Sequence, residues 1–305
     1  MILACGEALI DMLPRTTTEG GDAFAPHAGG AVFNTAIALG RLGVPAGFLC
    51  GLSDDLFGDI LRDTLRASQV DAALSPTYDR PTTLAFVKLV EGQATYAFYD
   101  ENTAMRALTE ADLPDVGDAE ALFFGGISLV GGACGDAYEA LMLREAGRRV
   151  TMIDPNIRPS FIRDEAAYRA RVTRMMAVAD IVKLSDEDLH WLMGDGDLAT
   201  LAERVRETGP SLVCITEGSK GVTAYSARGA TFVPAEKAEV VDTVGAGDTF
   251  NAGLLAHLHK EGHLTKAALA DLSEAHLAEA LAFGAKVAGI VVARAGANPP
   301  WAQDL

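Results

Sequence analysis

Short apolar runs alternate with helical runs along most of the 305 residues, and this alternation predicts a doubly wound α/β fold on a mostly parallel sheet. A hydrophobic content of 49% with 22% charged residues fits a globular chain with a sizeable core. One stretch, residues 81–99, breaks the rhythm with two extended runs and no helix between them, which predicts a second, smaller sheet.

The elements follow in order. "MILACGE" is the first strand, 31–42 the first helix, "AGFLCGL" the next strand and 56–67 the next helix. After the interruption come "ALFFGGI", helix 137–146, "RVTMID", helix 166–178, "DIVKLS", helices 186–193 and 198–207, and "SLVCIT". Helices are expected at 246–260 and from about Glu274 onward. No repeat, low-complexity tract or linker divides the chain, so one domain over 1–305 is expected.

Two insertions remain. Residues 11–27, "DMLPRTTTEGGDAFAPH", are turn-rich, and 81–99, "PTTLAFVKLVEGQATYAFY", read as two strands joined by a turn at Glu91-Gly92. Together, at about 11–28 and 81–103, they are expected to form a small β-sheet lid over the strand C-termini, where open α/β sheets bind ligands. The alternative is a pair of surface loops.

A net charge of −17, from 25 basic against 42 acidic residues, argues against nucleic acid or an anionic membrane as partner. The N-terminus reaches Glu7 and Asp11 before any signal-length apolar run, and the later run 281–293 is interrupted by Lys286 and too short to span a bilayer. A cytoplasmic location is expected. Cys5, Cys50, Cys134 and Cys214 are scattered without a CxxC pair and read as buried thiols. His257, His259 and His263 lack the glutamate of an HExxH motif and read as surface histidines.

The densest chemistry is "VVDTVGAGDTFNAG", residues 240–253. Gly245 and Gly247 let successive N–H groups point into one concavity, and the helix starting at Ala246 adds the positive end of its dipole, which makes an anion hole. Asp248 in the first turn has two readings: a cap for its own helix, or a base that accepts the proton of a hydroxyl attacking a phosphoryl group held in the hole. At an ordinary carboxylate pKa of about 3.9 it is a weak base, so orientation would matter more than basicity. No GxxxxGK[ST] or GxGxxG run competes for a phosphate.

"DTVGAGDTFNAG" resembles the C-terminal signature of the ribokinase-like (PfkB) carbohydrate kinases, and "AGGAVFNTAIALGRLG", residues 28–43, resembles their N-terminal signature. The resemblance covers essentially the whole chain. It implies a ribokinase-like fold with a β-sheet lid and magnesium- and ATP-dependent transfer of the γ-phosphate to a sugar hydroxyl. Gly245, Ala246 and Gly247 would form the hole, with Asp248 the base.

By the same resemblance Asp11, Gly29, Gly30 and Asn34 line the sugar site, and a carboxylate beside an amide suits adjacent hydroxyls. A tight helix entry at the glycines and an exposed position for Asn34 are the alternatives. "IDPNIRP", 153–159, holds Asp154, Asn156 and Arg158 between prolines. Arg158 would contact phosphate or sugar, or else pair with a neighbouring acid.

In "KLSDEDL", 183–189, the family often has Asn-x-x-Glu organising magnesium through water. Here Lys183 and Ser185 fall on the nucleotide side, with Glu187 or Asp188 left for the metal, or simply forming an acidic helix start. "TEGSKG", 216–221, resembles the nucleotide-phosphate turn, with Thr216, Gly218, Lys220 and Gly221; a turn lysine is otherwise solvated. Ala285 stands where relatives place an Asn beside adenine. Asp242 and Val244 resemble positions that supply oxygens to potassium in some members.

"GEALIDMLP", "ENTAMR", "FFGGISLV" and "DPNIRPSFI" are most similar to the bacterial fructokinase branch, which implies the 6-hydroxyl of D-fructose as acceptor. Tyr96, Phe98 and Asn102 would close over the sugar from the lid, or else serve lid packing. A homodimer through the lids is expected by analogy with the family. Two alternatives stand beside this reading: a 2-keto-3-deoxygluconate kinase, which would need a cation for the substrate carboxylate that the sequence does not locate, and a sugar sensor without turnover.

Overall fold

The computed structural model describes residues 1–90 and 93–305, with side chains outside 88–96. Seven parallel strands form the centre of the main sheet: β1 (Ile2–Cys5), β4 (Ala46–Leu49), β6 (Val70–Asp71), β10 (Ala121–Gly125), β11 (Val150–Asp154), β12 (Ile181–Ser185) and β13 (Leu212–Thr216). They lie in the order β13-β12-β11-β10-β1-β4-β6. β14 (Gly221–Ser226) and β15 (Gly229–Pro234) extend the β13 edge antiparallel.

Alternation along each strand feeds two cores. Ile2 and Ala4 of β1 face a core with Phe33 and Ile37 of the helix Ala31–Arg41, Leu254 and Leu258 of Ala246–Lys260, and Leu277 and Leu281 of Glu274–Val292. Leu3 and Cys5 face the opposite core, with Tyr138 and Leu141 of Gly132–Glu145, Tyr168 and Val172 of Glu165–Val178, and Leu201 of Leu198–Arg206. Each such aliphatic or aromatic side chain, fully buried, contributes about 1.5–3 kcal/mol, which is why strands covered on both faces read as continuous apolar runs.

The lid is a four-stranded sheet, β3-β2-β8-β9, from β2 (Leu9–Thr16), β3 (Asp22–Gly29), β8 (Leu84–Val90) and β9 (Gln93–Tyr99). β2 runs antiparallel to β3 and parallel to β8, so both insertions build one surface. The turn expected at Glu91-Gly92 and the side chain of Tyr96 lie outside the described residues. β5 (Leu52–Ser53) pairs with β7 (Thr77–Tyr78) in a small two-stranded sheet at the lid base.

Three expectations change. β14 and β15 have no counterpart in the sequence reading: their six-residue sequences, GVTAYS and GATFVP, lack the continuous apolar run that marks the parallel strands, because they lie at the edge of the sheet. The helix expected at 137–146 begins at Gly132, because the glycines ahead of it mask the helical pattern. The late apolar segment is also longer than expected. Glu274–Val292 has the length and composition to cross a membrane, yet Leu277, Ala280, Leu281, Gly284, Val287 and Val291 are buried, with Gly284 and Val287 packed against Phe250 and Gly253.

The chain leaves β1 toward β4 on one side and returns beside it as β10 on the other. Such a reversal opens a crevice at the strand C-termini, and the chemistry-bearing residues gather there.

Candidate active site

A cleft of about 1310 Å³ lies over the C-terminal ends of β1, β10, β11 and β12. Glu7, Gly126, Asp154 and Lys183 come to it from the sheet, Asp11 and Phe98 from the lid, and Gly245, Gly247 and Asp248 from the glycine turn. Gly30, Asn34, Asn102, Arg158 and Val244 also line it.

Gly245 has φ of +79° and precedes the helix Ala246–Lys260, whose start carries no side-chain cap. A side chain at Gly245 would be strained by that φ, and its Cβ would lie 2.6 Å from Cβ of Ala297. The Asp242 carboxylate braces the turn: Oδ1 accepts the Val244 N–H at 3.0 Å and Oδ2 the Gly296 N–H at 2.9 Å. The Ala246 N–H, expected in the hole, goes instead to the Thr243 carbonyl at 3.3 Å; the Gly245 and Gly247 amides, without a protein acceptor among the described residues, and the helix dipole favour an anion here.

Asp248 does not cap its own helix. Its side chain is buried and accepts the amide of Asn34, Nδ2 to Oδ2, at 2.9 Å, while Thr35 Oγ1 donates to the Asp248 carbonyl at 3.1 Å. Burial drives its pKa up from 3.8 to about 7; the Asn34 hydrogen bond opposes the rise and the charge of Asp154 adds to it. The ordinary carboxylate pKa expected from the sequence thus gives way to one near neutrality, the range in which a carboxylate can accept and release a proton readily.

Beneath the turn lies a buried polar cluster. Lys183 Nζ donates to Asp154 Oδ2 at 3.0 Å, and Asn251 Nδ2 donates to the same oxygen at 2.7 Å. Burial pulls the Lys183 pKa down, but the carboxylates of Asp154, Asp188 and Asp248 outweigh it and hold the ammonium protonated. Its Nζ lies 3.2 Å from where a Cβ on Gly247 would be, so a fixed positive charge sits directly under the glycine turn.

On the lid side, the Asp11 carboxylate lies across Gly29, where a Cβ would come within 2.4 Å of Oδ2. Glycine at 29 is required for that approach. Burial raises the Asp11 pKa to about 6. Glu7, also buried, accepts the N–H of Ala31 at 2.9 Å and of Ser128 at 3.3 Å, tying the start of the first helix to the turn after β10. Phe98 packs edge-on against Phe161 with ring centroids 4.2 Å apart.

Arg158 is exposed; its Nη1 donates to the Ile157 carbonyl at 3.0 Å, and among the described residues it has no carboxylate partner. The ion-pair alternative for Arg158 is thus not realised. Lys220 is paired with Glu217 at 3.0 Å. Thr216 ends β13, Gly218 and Lys220 follow it and Gly221 opens β14; none of the four lines the cleft, and neither do Gly29, Ala246, Ser185, Glu187, Asp188 and Asp242. Ser185 caps the helix Asp186–Met193 by accepting the Asp188 N–H at 3.0 Å.

Of the two acids considered for a metal, Glu187 is exposed, whereas Asp188 is buried, its Oδ1 accepting the Ile157 N–H at 3.0 Å. Burial and the neighbouring Asp154 charge raise its pKa, with Lys183 opposing. Among the described residues no three His, Cys, Asp or Glu side chains are arranged as a closed metal cage. Few, hard oxygen donors fit magnesium, which keeps most of its waters.

Asn251, Glu7 and Thr35 carry no role in the sequence reading, and Asp154 carries none beyond its place in a rigid turn. Asn251 stands three residues after Asp248, a helical spacing that puts both on one face; that spacing was the available signal. Glu7 and Thr35 act through backbone groups distant in sequence and left none.

An uncapped helix N-terminus, a cation beneath it and a buried carboxylate in the same cleft define a phosphotransferase on a ribokinase-like fold. Residues 1–304 match the pfkB family of carbohydrate kinases, and the chain belongs to that family. A fructokinase of Rhizobium leguminosarum bv. trifolii is 58% identical over 275 residues, 90% of this chain and 84% of that protein. The crystal structure of fructokinase with bound ATP from Xylella fastidiosa is 29% identical with a TM-score of 0.90, covering 97% of this chain and 93% of that one. A fructokinase of Vibrio cholerae O395, solved in a fructose, ADP and calcium bound form, is 25% identical with a TM-score of 0.83, covering 97% and 94%.

Proposed function

We propose that this protein is a fructokinase that transfers the γ-phosphate of ATP to the 6-hydroxyl of D-fructose. The observation that carries the proposal is Asp248: a buried carboxylate with a pKa near 7, beside an uncapped helix N-terminus, in a cleft deep enough for two substrates. The identity to the Rhizobium fructokinase and the fructose-bound Vibrio structure support the choice of sugar.

Asp11, Gly30 and Asn34 hold the sugar hydroxyls, Gly29 lets the Asp11 carboxylate pass close behind them, and Phe98 and Asn102 close over the sugar from the lid. The 6-oxygen attacks the γ-phosphorus while Asp248 takes its proton. The bond from the γ-phosphorus to the bridging oxygen breaks, and ADP leaves with that electron pair. Gly245 and Gly247 present amides to the phosphoryl oxygens, with Ala246, whose N–H is held by the Thr243 carbonyl, keeping the turn between them, and Arg158, with no carboxylate partner among the described residues, meets them from the opposite side. Preorganised donors of this kind are worth roughly 10²–10³ in rate each.

The nucleotide lies along the edge formed by Lys183, Ser185, Thr216, Gly218, Lys220 and Gly221, with Ala285 near the base. Magnesium, when bound, neutralises phosphate charge; Asp188, with Glu187 farther out, would hold its waters. Asp242 and Val244 are the place for potassium. The chain is read as one catalytic domain with its lid, acting as a homodimer through the lids. Four buried free thiols support a reducing, cytoplasmic setting.

ADP release from Mg-ATP, compared for fructose, 2-keto-3-deoxygluconate, ribose and adenosine, tests the proposal. Turnover should be strongest with fructose and should vanish in Asp248→Ala. A preference for another acceptor would overturn the substrate, and full activity in the variant would overturn the base.

A further inference from the structure

Among the described residues four cations line the cleft, and three of them are already matched by carboxylates: Lys183 with Asp154 at 3.0 Å, Arg163 with Glu101 at 3.4 Å, and Arg106 with Asp100 at 2.7 Å. These pairs are not equivalent. Lys183 lies under the phosphate-binding turn, and Arg163–Glu101 is solvent-exposed, at 87% and 79%. Arg106–Asp100 is withdrawn from water, at 19% and 21%. It sits where the lid strand β9 ends and the short helix Ala104–Ala107 begins, beside Asn102 and Ile127 on the acceptor side of the cleft.

The pair is built to be complete. Nε and Nη2 of Arg106 both donate to Asp100 Oδ2, at 3.1 and 2.7 Å, and Nη1 donates to the Ile127 carbonyl at 3.3 Å. Asp100 Oδ1 has no protein donor among the described residues, which leaves an acceptor for a hydroxyl. A partly desolvated guanidinium without its counter-ion would be a strong receptor for a carboxylate. With Asp100 in place, an incoming carboxylate meets a like charge instead.

We infer that Asp100 is a specificity-determining residue: by neutralising Arg106 inside the cleft it makes the acceptor site select uncharged sugars and reject sugar acids. The inference rests on the reading of the cleft as a sugar site. It also supplies the discriminator that the sequence could not locate, since a cation suited to a substrate carboxylate is present but occupied. Rejection by an unfavourable charge is as effective a route to selectivity as added attraction to the right substrate.

The test compares kcat/KM for D-fructose and 2-keto-3-deoxygluconate in wild type, Asp100→Asn, Arg106→Gln and the double variant. Asp100→Asn keeps the shape and removes the charge, so the ratio of sugar-acid to fructose kcat/KM should rise about tenfold or more, the scale of one charge-assisted hydrogen bond. The rise should disappear in the double variant. A pair serving only to hold the lid would lower both activities together, so an unmoved ratio in a folded, fructose-active Asp100→Asn overturns the inference while leaving the fructokinase reading standing. Wild type preferring 2-keto-3-deoxygluconate would overturn both. If Asp100→Asn turns over neither sugar, the melting-temperature shift from each sugar without ATP decides: a larger shift from the acid than from fructose supports the inference, and the reverse order overturns it.

Discussion

At the scale of single residues, the decisive group is Asp248, whose chemistry depends on neighbours far away in sequence. Because kcat/KM reports the free enzyme, its value for fructose should rise with pH through about 7, as Asp248 loses its proton, and then level off. A profile flat from pH 5.5 to 8.5 would contradict the base assignment. The same shift acts on stability with the opposite sense. An acid whose folded pKa exceeds its unfolded value favours folding while protonated, so this contribution is present below 3.8 and is lost as pH rises through about 7. Asp248→Asn should therefore melt about 2–4 °C or more above wild type at pH 8, while kcat falls roughly 10²-fold or further. The Asn34 hydrogen bond favours the ionised carboxylate. In Asn34→Ala the acid limb of the pH profile should move to higher pH; a limb that stays in place would limit Asn34 to sugar binding.

At the scale of elements, the two helices that meet at the site were legible from "GGAVFN" and "VGAGDTFN", because their glycines and the residues behind them sit next to each other in sequence. The contact between the helices was not, since Asn34 and Asp248 are 214 residues apart. The glycine turn carries its own prediction. Gly245→Ala puts a Cβ into the left-handed region at a cost of about 1–2 kcal/mol, and adds the clash with Ala297. The variant should melt lower and raise KM for ATP severalfold, with KM for fructose changed less. An unchanged KM for ATP would separate this turn from the nucleotide. The same limit explains the edge pair β14–β15: nothing in these short strands, β14 mostly buried and β15 mostly exposed, stands out until β13 is there to pair with.

At the scale of the whole molecule, the lid has two faces with different work. Strand register puts Asp11, Ala85 and Phe98 on one side and Met12, Phe86 and Ala97 on the other. Asp11 and Phe98 line the cleft, whereas Phe24, Phe86 and Tyr99 form an edge-to-face aromatic row on the other side, with centroids 5.0 and 5.5 Å apart. Phe24 and Tyr99 are 48% and 63% exposed, a cost that a second copy of the chain would relieve. The protein is expected to be a dimer by sedimentation or light scattering, and Phe24→Glu with Tyr99→Glu should make it monomeric and raise KM for fructose as the lid loses support. A monomeric wild type, or a variant that remains a dimer, would refute the lid interface.

What the sequence by itself determined are properties carried by neighbouring residues: strand and helix periodicity, the lid insertions, the glycine turn and the identity of Asp248. These are local because backbone geometry, propensity and turn chemistry act over a few residues. Only the tertiary structure decided that the Asp248 carboxyl is buried with its pKa raised to about 7, that Lys183 lies under the glycine turn held by Asp154 and Asn251, that Asp188 and not Glu187 is turned inward, and that Arg106 is already neutralised by Asp100. Desolvation and Coulomb interaction depend on which groups share a buried volume, and that is set by how distant strands and helices pack, not by their order along the chain.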